Sequence, residues 1–168
     1  NRFNERNAVG ASLRYFGLGD VQFTDLQGND MGVYSPNEFA FDVSYTIKLT
    51  DRFAGAVTGR YISSNLQLGT ESEGKANSIA VDLSGYYESG LIMNGNSEGR
   101  FKAGFAIQNL GPKISYTDDG LGESFLPTNL RLGAGYDFIM DQYNTISVYG
   151  EVTKLLVPTP QEPKWLDL

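Results

Sequence analysis

The sequence contains no cysteine and no histidine among its 168 residues. The chain therefore has no disulfide, no thiolate or imidazole metal ligand, no cysteine nucleophile and no histidine base. The serine–histidine–aspartate arrangement of many hydrolases is excluded with them. Composition leaves a serine–lysine pair open, but no motif marks one. We predict no catalytic site, no metal site and no cofactor.

Long apolar runs and an excess of basic residues are also missing. The longest apolar runs are about three residues, as in Phe138–Met140, whereas a transmembrane helix needs about 20. The chain carries 20 acidic and 13 basic residues, a net charge of −7. This is the wrong sign for a nucleic-acid-binding protein, so no nucleic-acid partner is expected.

What the sequence does contain is strict alternation. From Phe39 to Leu49 the odd positions are apolar or aromatic, and the even positions are small or polar, including Asp42 and Lys48. A helix would place these charges in its apolar stripe, so the period of two indicates a strand. The pattern predicts seven strands and no helix, at residues 8–16, 39–49, 53–63, 79–88, 101–108, 130–138 and 146–153.

The connections alternate in length. Short turns at 50–52 and 140–144 alternate with long polar connections at 25–37, 65–77 and 111–127, and the 89–99 connection is intermediate. Such alternation is typical of an antiparallel up-and-down meander. The prolines of VPTPQEP end the last strand. We therefore divide the chain into a partial β-barrel over residues 1–157 and a Pro-rich irregular tail over 158–168.

Strand length favours a transmembrane β-barrel over the alternative, a soluble β-sandwich. The predicted strands are near the 9–11 residues that cross a bilayer with tilt, whereas globular strands average about five or six. The aromatic residues Phe53, Tyr87, Phe101 and Phe138 lie on the apolar faces near the short turns, where an interfacial girdle is expected; ordinary β-propensity is the other explanation. We expect a multi-pass barrel in contact with bacterial outer-membrane lipid.

The polar faces of the strands carry charges of both signs in equal number, and we interpret these as lumen charges that pair across strands. Equal numbers argue against a pore that selects ions by a single-sign ring. Tyr86 and Tyr149 are expected near the lumen as filling side chains. The lumen charges are Arg14, Asp42, Lys48, Arg60, Asp82, Glu88, Lys102, Arg131, Asp137 and Glu151.

An odd strand number has its own consequence. Bacterial single-chain barrels close with an even number of strands, eight or more, and an open edge in lipid leaves backbone groups unsatisfied. We therefore expect seven strands to be part of a larger barrel.

The long connections supply the candidate partner-binding residues. Phe125 and Leu126 are apolar residues in an otherwise polar connection and are candidate anchors; packing onto the barrel rim is the alternative. Acidic residues there form a rim that steers a basic partner, the alternatives being solubility and association with cations. Asp118-Asp119-Gly120 and Asp25 to Asp30 lack EF-hand spacing, so calcium is not predicted. The acidic residues are Asp25, Asp30, Glu71, Glu73, Asp118, Asp119 and Glu123.

Two stretches carry a family resemblance. Residues 105–116 read FAIQNLGPKISY and residues 126–136 read LPTNLRLGAGY. Both resemble a signature of the PorV family, outer-membrane barrels of the type IX secretion system of Bacteroidetes, and the resemblance extends to about Pro160. It implies a fourteen-stranded barrel like that of the FadL family, of which seven strands are the middle half. The tail from Gln161 to Leu168 departs from it.

The resemblance also implies a function. Members of the family are not enzymes, and they are similar to carriers that hold the C-terminal domain of secreted cargo. They collect this cargo at the translocon barrel of the type IX system and pass it to a cell-surface sortase complex. The alternative is a FadL-like transporter of hydrophobic small molecules.

Overall fold

A computed structural model of the chain describes residues 4–25, 27–66, 74–95, 97–116 and 123–157. Over these residues the protein is all-β, and no helix there is long and apolar enough to cross a membrane. The strands are β1 (Asn7–Gly17), β2 (Val21–Thr24), β3 (Asp30–Tyr34), β4 (Asn37–Lys48), β5 (Phe53–Asn65), β6 (Lys75–Glu88), β7 (Ile92–Asn94), β8 (Ser97–Leu110), β9 (Asn129–Ile139) and β10 (Thr145–Leu155).

Seven long strands form one antiparallel meander in the order β1-β4-β5-β6-β8-β9-β10. The short strand β7 pairs with the beginning of β8, and β2 and β3 form a separate two-stranded sheet. The predicted up-and-down architecture is therefore confirmed. The strands β1 and β10 lie at the two ends of this order, and closure with further strands stays a prediction.

The strands are longer than the alternation predicts. The seven long strands contain 11 to 14 residues. β6 begins at Lys75, ahead of the predicted start at Ile79. The alternation is hard to recognise in this first part, because Ala76 and Ser78, which are buried on the polar side of the strand, are small side chains. Within the predicted connections, β3 and β7 are too short for alternation to be recognised. The turns at 50–52 and 140–144 are confirmed.

The turn between β9 and β10 is held by one carboxylate. The Asp141 Oδ1 atom accepts hydrogen bonds from the backbone N–H groups of Tyr143 at 2.7 Å and Asn144 at 2.8 Å. The side-chain amide of Asn144 also donates to Asp141 and, with these backbone donors, holds the pKa of Asp141 below its ordinary value. Because the pKa is depressed, this contribution to stability is present at neutral pH and is lost as the pH falls through the folded-state pKa.

The register gives the meander two chemically different faces. Asp42 lies opposite Arg60 between β4 and β5, and Arg100 lies opposite Asp137 between β8 and β9. These residues and their same-parity neighbours form what we call the charged face. The opposite parity places Phe41 opposite Tyr61 and Phe105 opposite Leu132, and we call this side the apolar face.

The burial of the two faces is the reverse of that in a soluble sandwich, where the apolar face is covered. On the apolar face, Phe41 is 45%, Val57 49% and Leu132 45% exposed. On the charged face, Asp42 and Asp137 are buried. An exposed apolar surface of this extent is typical of a face that contacts a membrane or another protein.

Aromatic rings on neighbouring strands cover several glycines of the meander. A Cβ atom added at Gly85 would lie 3.0 Å from Cζ of Phe53 and even closer to the ring of Phe105. At Gly59, on the adjacent strand and the same face, an added Cβ atom would meet nothing within 4 Å. Gly85 is therefore a position where the absence of a side chain allows two rings to pack.

We expect Gly85→Ala to destabilise the protein by about 1–3 kcal/mol, because the added methyl group displaces both rings. The matched variant Gly59→Ala should change stability much less. Urea unfolding of the intact protein in detergent measures both. Equal midpoints for the two variants would contradict the ring-over-glycine packing.

Candidate functional site

The centre of the charged face is an ion-pair network around Arg60. Its Nε atom lies 2.7 Å from Oδ1 of Asp42, and its Nη2 atom lies 3.0 Å from Oδ2 of Asp82. Arg14 reaches the same Asp42 from β1, with 2.9 Å between its Nη2 and Oδ2 of the carboxylate. The side chains of Arg60, Asp42 and Asp82 are each about a tenth exposed. Buried charges of this kind are tolerated because each one is paired.

A second network lies on the later strands. The Nζ atom of Lys102 is 2.7 Å from Oδ2 of Asp137. Ser147 and Tyr149 donate their hydroxyl groups to Oδ1 of the same carboxylate, at 2.8 Å and 2.9 Å. Arg131 and Glu151 form a separate pair at 2.6 Å with both side chains about half exposed, so this pair is expected to contribute little to stability.

Two more of the predicted lumen charges, Lys48 and Glu88, form ion pairs near the strand ends. Lys48 contacts Asp51 of the adjacent turn at 3.1 Å, so its partner is a turn residue. Glu88 pairs at 3.1 Å with Arg100, a charged-face residue that the predicted strand at 101–108 left out. The charged face also carries Glu38 and Glu98, because β4 and β8 begin earlier than predicted. The balance of signs on this face is therefore close to neutral, with a small excess of acids.

A β-bulge in β8 links the first network to the connection that follows. Asn109 has a positive φ of 59°, and the register with β6 shifts between Val81 and Leu83, so that two residues of β8 oppose one of β6. The Asn109 N–H donates to Oδ1 of Asp82 at 2.8 Å, and its side-chain oxygen accepts from Arg60. The bulge is thus tied to both members of the buried pair.

Asn109 also brings together the two sequence stretches that carry the family resemblance. Its side-chain amide donates to the carbonyl oxygen of Pro127 at 3.1 Å. The hydroxyl of Thr128 donates to the carbonyl oxygen of Asn109 at 2.8 Å. Residues that the sequence separates by almost twenty positions therefore meet at the end of β8.

In its described parts, the connection between β8 and β9 folds over the charged face. We call its described parts, residues 111–116 and 123–128, the inward arms. Ile114 and Leu126 of the arms are buried against Ala76 and Ala80 of β6, residues that share the charged-face parity of Asp82. The backbone of Ile114 pairs with that of Ser124 at 2.8 Å and 2.9 Å. This is the one cluster of buried apolar side chains in the described part of the chain.

Polar contacts and a glycine hold the inward arms in place. Tyr116 donates its hydroxyl to Ser64 at 3.1 Å, and Ser64 donates in turn to Glu38 at 2.7 Å. A Cβ atom at Gly111 would overlap the carbonyl oxygen of Ile79. Only glycine therefore allows the chain to approach β6 this closely.

A groove of about 850 Å³ opens between the inward arms and the beginning of the sheet. Apolar side chains contribute much of its lining, and its polar lining residues include Arg14, Arg60, Glu38, Ser64 and Asn109. Its volume lies within the range of small-molecule sites, roughly 300–1,000 Å³.

The structure separates the two predicted anchors. Phe125 is 51% exposed, and its ring lies 4.9 Å from the Nζ atom of Lys113. Glu123 is exposed and pairs with the same Lys113 at 3.4 Å. Leu126 is instead buried, which matches the alternative interpretation of packing onto the barrel. Glu71, Glu73, Asp118 and Asp119 lie outside the described residues.

The sequence interpretation missed the role of Asn109, although a signal is present. The alternation of β8 slips at Gln108 and Asn109, where two polar residues follow each other before Leu110. Such a slip is the pattern of a bulge. The pairing partners of this asparagine, in contrast, lie on other strands and leave no local signal.

A face of paired charges, an exposed apolar face and a meander of long strands define the class of protein as an all-β protein whose antiparallel sheet separates charged from apolar side chains. A family model described as "Type IX secretion system protein PorV" matches residues 1–162. The chain belongs to the PorV family and is a component of the type IX secretion system. A search of curated proteins finds no match.

Removing the Arg60 guanidinium should release the inward arms, because Asp42 and Asp82 would then be buried without that partner. We expect Arg60→Met to raise the maleimide labelling rate of a Leu126→Cys thiol at least tenfold. These 168 residues contain no cysteine of their own, so the introduced thiol is the single target within them. Labelling kinetics on the intact protein measure the effect.

The matched control is Arg131→Met, which breaks a half-exposed pair and should leave the Leu126→Cys thiol protected. Phe125→Cys should label rapidly in every background, since this side chain is already exposed. Arg60→Lys tests the geometry, because lysine keeps the charge but lacks the fork that reaches both carboxylates. Unchanged protection in Arg60→Met would contradict the coupling.

Proposed function

We propose that the meander crosses the outer membrane, with the apolar face toward lipid and the charged face toward the lumen. The shortest long strands have 11 residues, which at about 3.3 Å per residue measure roughly 36 Å. Tilted by about 45°, such a strand spans the roughly 25 Å apolar band of an outer-membrane barrel. The exposed aliphatic and aromatic side chains of the apolar face support this orientation.

We expect Phe41→Arg and Leu83→Arg to impair membrane assembly, at a cost of about 2–4 kcal/mol each near the bilayer midplane. Both side chains are exposed on the apolar face, near the middle of their strands. Ser84→Thr, on the charged face beside Leu83, is the mild control. Heat-modifiable mobility of membrane fractions reports assembly. Normal assembly of both arginine variants would reverse the assignment of the two faces.

We infer that the protein is a non-enzymatic carrier of the type IX system. In this role it binds the C-terminal domain of secreted cargo at the translocon barrel and delivers the cargo to the cell-surface sortase complex. The observation that carries this proposal is the family membership, which extends over residues 1–162. The inward arms support it, since they occupy part of the lumen-facing side at the end where the long connections lie.

The partner contacts are proposed at that end. Phe125 is the anchor, because it is an exposed aromatic ring held in place by Lys113 and backed by the buried Leu126. Glu123 belongs to the same surface. The acidic residues Glu71, Glu73, Asp118 and Asp119 complete the proposed rim on the grounds of sequence.

A second candidate function is transport of a hydrophobic small molecule. The observation that favours it is the groove of about 850 Å³ beside the inward arms, with its apolar walls and two arginines in its lining. Because Arg14 and Arg60 are already paired with Asp42 and Asp82, the matching ligand is mainly apolar, with at most a neutral polar head. We place the carrier function first because the family membership on which it rests covers residues 1–162, whereas the transport function rests on the groove alone.

Affinity purification of the intact protein from its own membrane tests both functions. Recovery of the translocon barrel or of cargo C-terminal domains supports the carrier, and bound lipid without protein partners supports the transporter. Phe125→Ser should reduce cargo recovery about tenfold, as loss of a buried interface aromatic does. Tyr143→Ser is the control, since Tyr143 is 91% exposed in a turn at the opposite end. Equal cargo recovery from both variants would exclude Phe125 as the anchor.

A further inference from the structure

The β2–β3 hairpin is a separate element of the molecule. Its strands pair with each other, Val21 opposite Tyr34 and Gln22 opposite Val33. No Cα atom of the hairpin lies within 8 Å of a Cα atom in another described strand. The hairpin occupies the connection between β1 and β4, at the same end of the meander as the inward arms.

The hairpin is built to hold its shape. The N–H of Leu18 donates to the carbonyl oxygen of Pro36 at 3.0 Å and closes the base. Asp25 accepts hydrogen bonds from the N–H groups of Gln27 at 2.9 Å and Asn29 at 2.8 Å, and so shapes the tip. The rings of Phe23 and Tyr34 pack edge to face at 5.1 Å on one side. The surface it presents is thus preorganised.

This surface exposes apolar side chains that the hairpin itself leaves uncovered. Met31 is 60% and Val33 59% exposed, and Leu18 at the base is 52% exposed. An isolated two-stranded hairpin is marginally stable in water. Exposed apolar side chains at three positions of one short segment are typical of an interaction site.

The charge around these residues selects among partners. Asp20, Asp25 and Asp30 lie in the hairpin segment, and the sequence has no Lys or Arg between Arg14 and Lys48. The hydrogen bonds to Asn29, Gln27 and Gly28 hold the pKa of Asp25 below its ordinary value, so that residue is ionised at neutral pH. Phosphate-rich membrane surfaces repel this segment, whereas a basic protein surface attracts it.

We propose that the β2–β3 hairpin is a docking element for a protein partner whose contact surface is apolar at its centre and rimmed by lysine or arginine. The proposal rests on the proposed function in one respect. The proposed orientation in the membrane places this end of the meander outside the bilayer, where the secretion machinery and its cargo are. The hairpin and Phe125 are then two contact points at the same end.

A photoreactive amino acid at Val33, in the intact protein within its own membrane, tests the proposal. We expect an adduct with a protein, and a cross-linked peptide that contains lysine or arginine beside apolar residues. The same probe at Tyr143, in a turn at the opposite end, should give at least fivefold less adduct. Thr24 is exposed on the hairpin, so Thr24→Lys should lower the Val33 adduct severalfold and the matched Thr24→Glu should preserve it.

The other outcomes overturn the proposal. They are an adduct with lipid alone, an adduct with a second copy of this chain alone, a Val33 adduct no stronger than that at Tyr143, or equal adducts with Thr24→Lys and Thr24→Glu. A failure of the proposed function can be distinguished from a failure of this proposal. A basic partner from outside the secretion system would support the docking element and, with no cargo or translocon in the affinity purification, would contradict the carrier.

Discussion

The contact on which the rest of the structure depends is that of Arg60 with Asp42 and Asp82. One guanidinium joins β5 to the strands on both sides of it, and Asp42 extends the link to Arg14 on β1. Through Asn109 the same group reaches the end of β8. A planar fork with five donors can serve several acceptors at fixed angles. The charged face is therefore organised around geometry as much as around charge.

The two faces of the sheet differ in polarity and in burial. Most charges on the charged face are paired, and the inward arms cover part of that face, while bulky apolar side chains lie uncovered on the apolar face. In water this arrangement would be unfavourable, because apolar area is exposed and polar area is buried. Next to lipid the same arrangement is favourable. Every long strand carries exposed apolar side chains on the apolar face.

The sequence was sufficient to predict the seven long strands and the residues that share each face, because alternation is a local property. It predicts residues such as Phe41 and Leu83 on one side and Asp42 and Asp82 on the other, as the register places them. It did not predict the β2–β3 hairpin, whose strands are too short to show a period. Nor did it predict the burial of Leu126 or the partners of Asn109, since these depend on how a connection folds over distant strands.

The bulge at Asn109 also bears on how the chain finds its alignment during folding. In a sheet whose two faces differ in polarity, a shift of one position moves every side chain to the opposite face. The inward arms fit only when Gly111 lies over the carbonyl group of Ile79 and Asn109 faces Asp82. A strand shifted by one residue would present a side chain where the glycine must be. This junction therefore makes misaligned pairings of β6 and β8 unfavourable, and the correct register is selected by contacts at the end of the strand as well as along its length.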